Sequence, residues 1–241
     1  MVKLVLYRIY LFLIAAPILL VATLLAALIT SIGSIIFGGN WWGYWPPHIW
    51  ARLFCIVSMV RVEVRGRENV DKNTSYVFIA NHQGAYDIFA IYGYLNHNFK
   101  WMMKESLQKI PFVGRACKNA GHIMVDRTNP SGIRRTMDEA KKRLRNGMSL
   151  VVFPEGSRTA TGYMAPFKKG AFLLASQFGL PMVPLTIDGS YDIMSKNSKI
   201  PHYGKIIMTI HKPLVEIPSP LSKAMEQTHE IINSELTKYK L

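Results

Sequence analysis

Negative charge is missing from the N-terminal stretch of this 241-residue chain. No Asp or Glu precedes Glu63, and from Ile9 to Ala51 no side chain is charged, counting His48 as neutral. Lys3, Arg8 and Arg52 carry the only charge in the first sixty residues. Such a stretch is not the surface of a water-soluble domain. Cysteine is scarce as well. Cys55 and Cys117 stand alone without CxxC spacing, which argues against a disulfide framework and fits two buried thiols in a reducing compartment. The seven histidines are scattered and no HExxH occurs, so no zinc site is expected. The GxSxG, P-loop and GxGxxG patterns are absent, leaving a serine-nucleophile elbow and a nucleotide cradle without support.

What is present begins with an apolar run, residues 9–37. A bilayer core needs about 20 apolar residues in a helix, whereas the apolar part of a signal peptide is about 7–15 residues long. The run therefore reads as a membrane helix that is not cleaved. GGNWWGYWPP, residues 38–47, breaks that helix with Gly and Pro, and its Trp and Tyr suit a membrane interface. A second apolar stretch, residues 48–60, follows. One spanning helix and a two-helix hairpin dipping into one leaflet are both open, because basic residues flank both segments. The expected division is 1–60 as membrane-anchoring helices and 61–241 as a globular domain.

All 15 acidic residues lie in the second part, with most of the 29 basic ones. Basic excess suits nucleic acid, an anionic membrane or an anionic substrate. No nucleic-acid motif is present, and the apolar segment favours lipid. The texture here alternates. Strands are expected at 61–66, 75–80, 100–104, 122–126, 149–153, 182–187 and 205–211. Helices are expected at 84–95, 131–146 (with Ser131 as a cap), 170–179 and 220–239. Alternation of this kind predicts an α/β fold, mainly parallel, flanked by helices, with its site at the carboxyl ends of strands.

Three stretches that follow strands can carry chemistry. In NHQGAYD, residues 81–87, Asp87 can return to His82, fix its tautomer and steady the imidazolium. The same residues also suit an ordinary helix-capping turn. In GHIMVDR, residues 121–127, Arg127 can fork a phosphate or form a surface ion pair. In LVVFPEGSRT, residues 150–159, Gly156 allows close backbone approach and Arg158 can hold a phosphate, while Glu155 can order the loop or hold a hydroxyl. A loop closed by a Glu–Arg pair is the plainer alternative. MVPLTIDG, residues 182–189, reads as core or pocket wall. Lys104 ends a strand, and Lys168 and Lys169 precede a helix start, where anions are favoured.

In order, these stretches resemble the four successive motifs of the glycerolipid acyltransferase family, most closely the bacterial 1-acyl-sn-glycerol-3-phosphate acyltransferases. Asn81, His82 and Asp87 match NHxxxxD, FPEGSRT matches FPEGxRS/T, and Lys104, Glu105, Gly114, Gly121, Asp126 and Arg127 fall in the second motif. The likeness covers about residues 60–215, and the N-terminal hydrophobic pair also looks like that group's two-helix membrane motif. The resemblance implies a glycerophosphate acyltransferase-like fold and O-acyl transfer to 1-acylglycerol-3-phosphate. It implies His82 as general base and Asp87 as its orienter. Lys104, Arg127, Glu155, Gly156, Arg158 and Thr159 are then the substrate-binding residues, with Arg158, Lys104 and Arg127 for the phosphate. No metal or cofactor is implied. Acyl-CoA or acyl carrier protein is the thioester co-substrate, and the lipid acceptor comes from the membrane. The expected location is the cytoplasmic side of the inner membrane, with no nucleic-acid partner. Acylation of another lyso-lipid, such as an amino-acid lipid, and a non-catalytic lipid-binding role are the alternatives.

Overall fold

Apolar, β-branched runs such as VFIA and SLVV cannot expose either face to water, so they become central strands of a sheet covered on both sides. In the computed structural model, which describes residues 2–125, 130–144 and 148–239, seven strands form one sheet. They are β1 (Val60–Arg65), β2 (Val77–Ala80), β3 (Phe99–Lys104), β4 (Ile123–Val125), β5 (Ser149–Val152), β6 (Met182–Asp188) and β7 (Gly204–Ile210). Their spatial order is β1-β7-β6-β2-β5-β3-β4. Among the described strand pairs only β6–β7 is antiparallel; an isolated antiparallel bridge joins Met182 to Leu214. The expected α/β fold with a mainly parallel sheet is what the chain adopts.

Period-two alternation divides the core. Val77, Ile79, Leu150 and Val152 face one side, where Ala140, Phe172, Leu174, Ala224 and Ile232 pack on them. Phe78, Ala80 and Val151 face the other, under Ala51, Cys55, Tyr86, Ala90 and Ile91. Each fully buried aliphatic or aromatic side chain contributes about 1.5–3 kcal/mol.

The helices follow in chain order. α1 (Val2–Tyr10) continues through a π-helical turn, Leu11–Ala15, into α2 (Ala16–Phe37). Together, Val2–Phe37 is long and apolar enough to cross a membrane by length and composition. α3 (Trp45–Val57), α4 (Tyr86–Tyr94), α5 (Val113–Asn119), α6 (Pro130–Arg143), α7 (Gly170–Phe178), α8 (Ser190–Met194) and α9 (Leu221–Ser234) complete the set.

Differences from the sequence expectation sit at helix ends and in short elements. α6 starts at Pro130, so Ser131 lies inside the helix rather than capping it; proline suits a first turn, where its missing N–H is not needed. α9 stops at Ser234, short of 239. The sheet begins one residue early, at Val60. α5 and α8, of seven and five residues, are too short to show a helical period.

A buried lysine fastens the N-terminal helices to the sheet. Lys100 of β3 is 1% exposed. Its Nζ donates to Gly39 O at 2.7 Å and to Ala120 O at 2.8 Å. Burial lowers its pKa from 10.5 to about 8.

Candidate active site

Parallel strands β2 and β5 are neighbours, so the chain leaves both at the same edge of the sheet. β2 delivers Asn81 and His82 there, and β5 delivers Phe153, Pro154 and Glu155. The Asn81 side chain prolongs the β2–β6 pairing. It accepts from Ile187 N–H at 2.8 Å and donates to Ile187 O at 2.9 Å. The backbone is thereby held up to the residue before His82.

His82 Nδ1 lies 2.8 Å from Asp87 Oδ2. That same oxygen accepts from Gln83 N–H at 2.8 Å and from Gly84 N–H at 3.0 Å. An oxygen taking two backbone donors in the first turn of α4 is a carboxylate favoured by the helix N-terminus, so the imidazole must be a third donor. The tautomer is therefore Nδ1–H, which leaves the Nε2 lone pair free. Nε2 makes no hydrogen bond among the described residues. Asp87 is fully buried, while the His82 side chain keeps 13% exposure. The arrangement can accept a proton at Nε2 from a bound hydroxyl and hold the resulting positive charge over a buried carboxylate.

Three further contacts set the ring's position. The imidazole stacks on Phe153 at 3.9 Å between centroids and 9° between planes, and Phe153 in turn stacks on Trp101. Glu155, 4% exposed, accepts from His82 N–H at 2.6 Å through one oxygen and from Ala165 N–H at 2.9 Å through the other. Thr159 N–H donates to His82 O at 2.9 Å. Glu155 therefore ties the loop after β5 to the backbone of His82. Burial pushes its carboxyl up from 4.5 to about 7, opposed by the Ala165 and His82 N–H groups and assisted by repulsion from Asp87.

Gly84 has a packing reason to be glycine: a Cβ there would lie 2.3 Å from Ser190 O. Gln83, given no role from the sequence, donates from Nε2 to Gly162 O at 2.6 Å and so braces the loop that follows FPEGSRT.

The remaining substrate candidates are placed as follows. Gly156 turns the loop at φ +81°, and its N–H is already committed to Phe153 O at 3.0 Å. Half-buried Arg158 makes no hydrogen bond or ion pair among the described residues. Thr159 is buried, with its Oγ1 accepting from Thr161 N–H at 3.2 Å. Lys104 is exposed at the end of β3. Arg127, with Asp126, lies outside the described residues. No group of three or more His, Cys, Asp or Glu side chains is arranged to hold a metal among the described residues.

His122 is a structural residue. Its Nε2 lies 3.1 Å from Tyr92 Oη, and its Nδ1 accepts from Trp101 N–H. Burial lowers its pKa to about 3, so it stays neutral. The sequence-level reading missed the Phe153 and Trp101 platform and the brace from Gln83. The aromatic residues in FPEG and KWMM were visible, but not the strand order that stacks them.

Residues 61–188 match the Acyltransferase family. The chain is 34% identical over 176 residues to a chloroplastic 1-acyl-sn-glycerol-3-phosphate acyltransferase of Brassica napus, covering 69% of this chain and 50% of that protein. It is 34% identical over 146 residues to a 1-acyl-sn-glycerol-3-phosphate acyltransferase of Helicobacter pylori, covering 60% of each. These matches therefore span only about half to three-fifths of the relatives' lengths. The crystal structure of a 1-acyl-sn-glycerophosphate (LPA) acyltransferase from Thermotoga maritima superimposes with a TM-score of 0.78 at 25% identity, over 96% of this chain and 93% of that one. With the matched domain spanning both the His82–Asp87 turn and the loop after β5, the chain belongs to the Acyltransferase family.

Proposed function

We propose that this protein transfers a fatty acyl group from an acyl thioester to the sn-2 hydroxyl of 1-acyl-sn-glycerol-3-phosphate, forming phosphatidic acid. The observation that carries the proposal is His82, with Nδ1 bound to a buried carboxylate at 2.8 Å and Nε2 unengaged at the strand edge. The activity in the names of the relatives supports the same substrate pair.

In the proposed reaction His82 Nε2 takes the hydroxyl proton as the oxygen attacks the thioester carbonyl carbon. The tetrahedral adduct collapses, the C–S bond breaks, and the departing sulfur takes the proton back from the imidazolium. Asp87 holds the ring and its charge throughout. No acyl-enzyme forms. The thioester is already activated, so positioning and proton transfer are the main levers, and proton transfer by a positioned base supplies about 10²–10⁴-fold. Arg158, Lys104 and Arg127 are assigned to the acceptor phosphate, in that order. Gly156 and Thr159 shape the loop that carries Arg158, and Glu155 ties that loop to His82. The apolar cavity of about 250 Å³ that includes Trp101, Met103 and His122 in its wall lies behind the stacked Phe153 and suits the donor's acyl chain.

Residues 1–60 anchor the protein to the membrane in this reading and 61–241 form the acyltransferase domain. The site faces the cytoplasmic side of the inner membrane, where soluble acyl-CoA or acyl carrier protein can reach it. The test is an acyl-transfer assay on purified protein, crossing both thioester donors with lysophosphatidate and with a phosphate-free lyso-lipid. Phosphatidate formation is the expected result. Acylation of the phosphate-free lipid alone overturns the acceptor assignment.

A further inference from the structure

Two apolar cavities flank α4, the helix whose first turn carries Asp87. The smaller, described above, takes Ile88 and Tyr92 into its wall. The larger, about 510 Å³, lies between the N-terminal helix, α3 and the catalytic turn, and Leu11, Ala15, Phe54, Ala85, Tyr86 and Phe89 help to line it. Ala85 and Tyr86 are the residues just before Asp87, so this wall is continuous with the turn that holds His82 to its carboxylate.

Three polar features interrupt the larger cavity's apolar lining. Lys199 is exposed and is the only charged residue in the wall among the described residues. Ser58 is 0% and Tyr86 1% exposed; their hydroxyls interact with each other and neither has a further hydrogen-bond partner. A buried hydroxyl proton left without an acceptor is destabilising. The Ser58–Tyr86 pair meets one donor between its members and leaves one hydroxyl to call for an acceptor from outside the chain. Thr23, which borders both cavities, is by contrast engaged: it accepts from Trp50 Nε1 and donates to Leu19 O.

The N-terminal helix is shaped for this cavity. Pro17 has no N–H to offer the carbonyl of Leu13, and the turn just before it is π-helical, Leu11–Ala15; an inserted residue of this kind often marks a functional site. Leu11 and Ala15 point inward from that turn, while Phe12 and Leu13 are 62% and 73% exposed. The cavity thus opens along a helix whose outer face is built for lipid.

We infer that this larger cavity holds the acyl chain already esterified to the lysolipid acceptor, with the Ser58–Tyr86 hydroxyl pair donating its remaining proton to that chain's ester carbonyl. The inference rests on the acyl-transfer reading above. A lysolipid has one chain and one ester carbonyl, and the cavity offers apolar walls and one hydroxyl donor in matching kind, beside the turn where the head group reacts. The reaction joins two chains on one glycerol, and the two cavities on either side of α4 give each chain its own place.

The test uses the full chain in phosphatidylcholine vesicles with a lysophosphatidate bearing a photoreactive group in its acyl chain. Expected is labelling of the Leu11–Leu20 segment and Phe89, displaced by excess unlabelled lysophosphatidate. Ala16→Trp, which adds bulk to a residue lining the cavity, should cut that labelling at least about tenfold, the factor that ~1.4 kcal/mol supplies. Labelling confined to the smaller cavity, around Met103 and Ile110, overturns the assignment. So does equal labelling of the larger cavity by a photoreactive diacyl phosphatidylcholine, which makes it a general lipid-facing groove. In kinetics, the Ser58→Ala/Tyr86→Phe double variant should raise KM for long-chain lysophosphatidate about tenfold and leave KM for the thioester unchanged; an equal rise for both contradicts the proposal. If the wild-type protein acylates no lysolipid, the proposed function fails, while the label map still decides this site.

Discussion

Asp87 Oδ2 receives His82 Nδ1 and two backbone N–H groups within 3.0 Å, on a side chain with no exposure. One oxygen therefore both builds the turn and orients the imidazole. Asp87→Asn replaces a triple acceptor with an amide that cannot satisfy all three donors. The expected result is a fall in kcat of about 10²–10⁴-fold together with a lower Tm, since the turn loses its acceptor. An Asn variant with wild-type kcat would remove Asp87 from the mechanism.

Glu155 gives a pH signature. Its carboxyl is raised from 4.5 to about 7 by burial, so between those values the folded protein keeps a proton that the unfolded chain has released. Stability then falls as pH rises from about 4.5 to about 7 and levels off above. Glu155→Gln should flatten that part of the pH–stability curve, measured by denaturant unfolding across the window. An unchanged slope in the variant assigns the effect to another group.

Arg158 stands half-buried in the loop after β5 without an ion-pair partner among the described residues. If it grips the acceptor phosphate, Arg158→Ala should raise KM for lysophosphatidate by about 10- to 100-fold, matching the ~1.5–3 kcal/mol of a hydrogen bond to a charged group. KM for the thioester should hold. Arg158→Lys should rescue only in part, because a point charge lacks the guanidinium fork. A KM that rises for the donor instead points to the CoA or carrier phosphates.

Gly84 packs against α8. A methyl group there would meet Ser190 O at 2.3 Å, so Gly84→Ala must push the His82–Asp87 turn from α8. A loss of about 1–3 kcal/mol in stability is expected, with lowered activity. A variant as stable and active as wild type would mean the turn tolerates movement.

The strands were readable because each is a short apolar run between turn residues, and VFIA, SLVV and MVPLTI are buried throughout. NHQGAYD and FPEGSRT were readable as neighbours because both leave strands, and parallel pairing of β2 with β5 brings them to one edge. Illegible were contacts that depend on strand order. β5 lies between β2 and β3, which is what puts Phe153 between His82 and Trp101. Two possible roles for Glu155 were open in sequence, ordering the loop or holding a hydroxyl; its two backbone donors, His82 at 73 residues' separation and Ala165 at 10, have it order the loop. The burial of Lys100 was illegible, because nothing local signals that the carbonyls of Gly39 and Ala120 meet over it.

The most direct measurement is the initial rate of phosphatidate formation from lysophosphatidate and an acyl thioester in vesicles, comparing wild type with His82→Ala of matched Tm. The expected result is robust turnover by wild type and a loss of about 10²–10⁴-fold in the variant, with lysophosphatidate binding retained. Turnover by the variant at the wild-type rate would contradict His82 as the base.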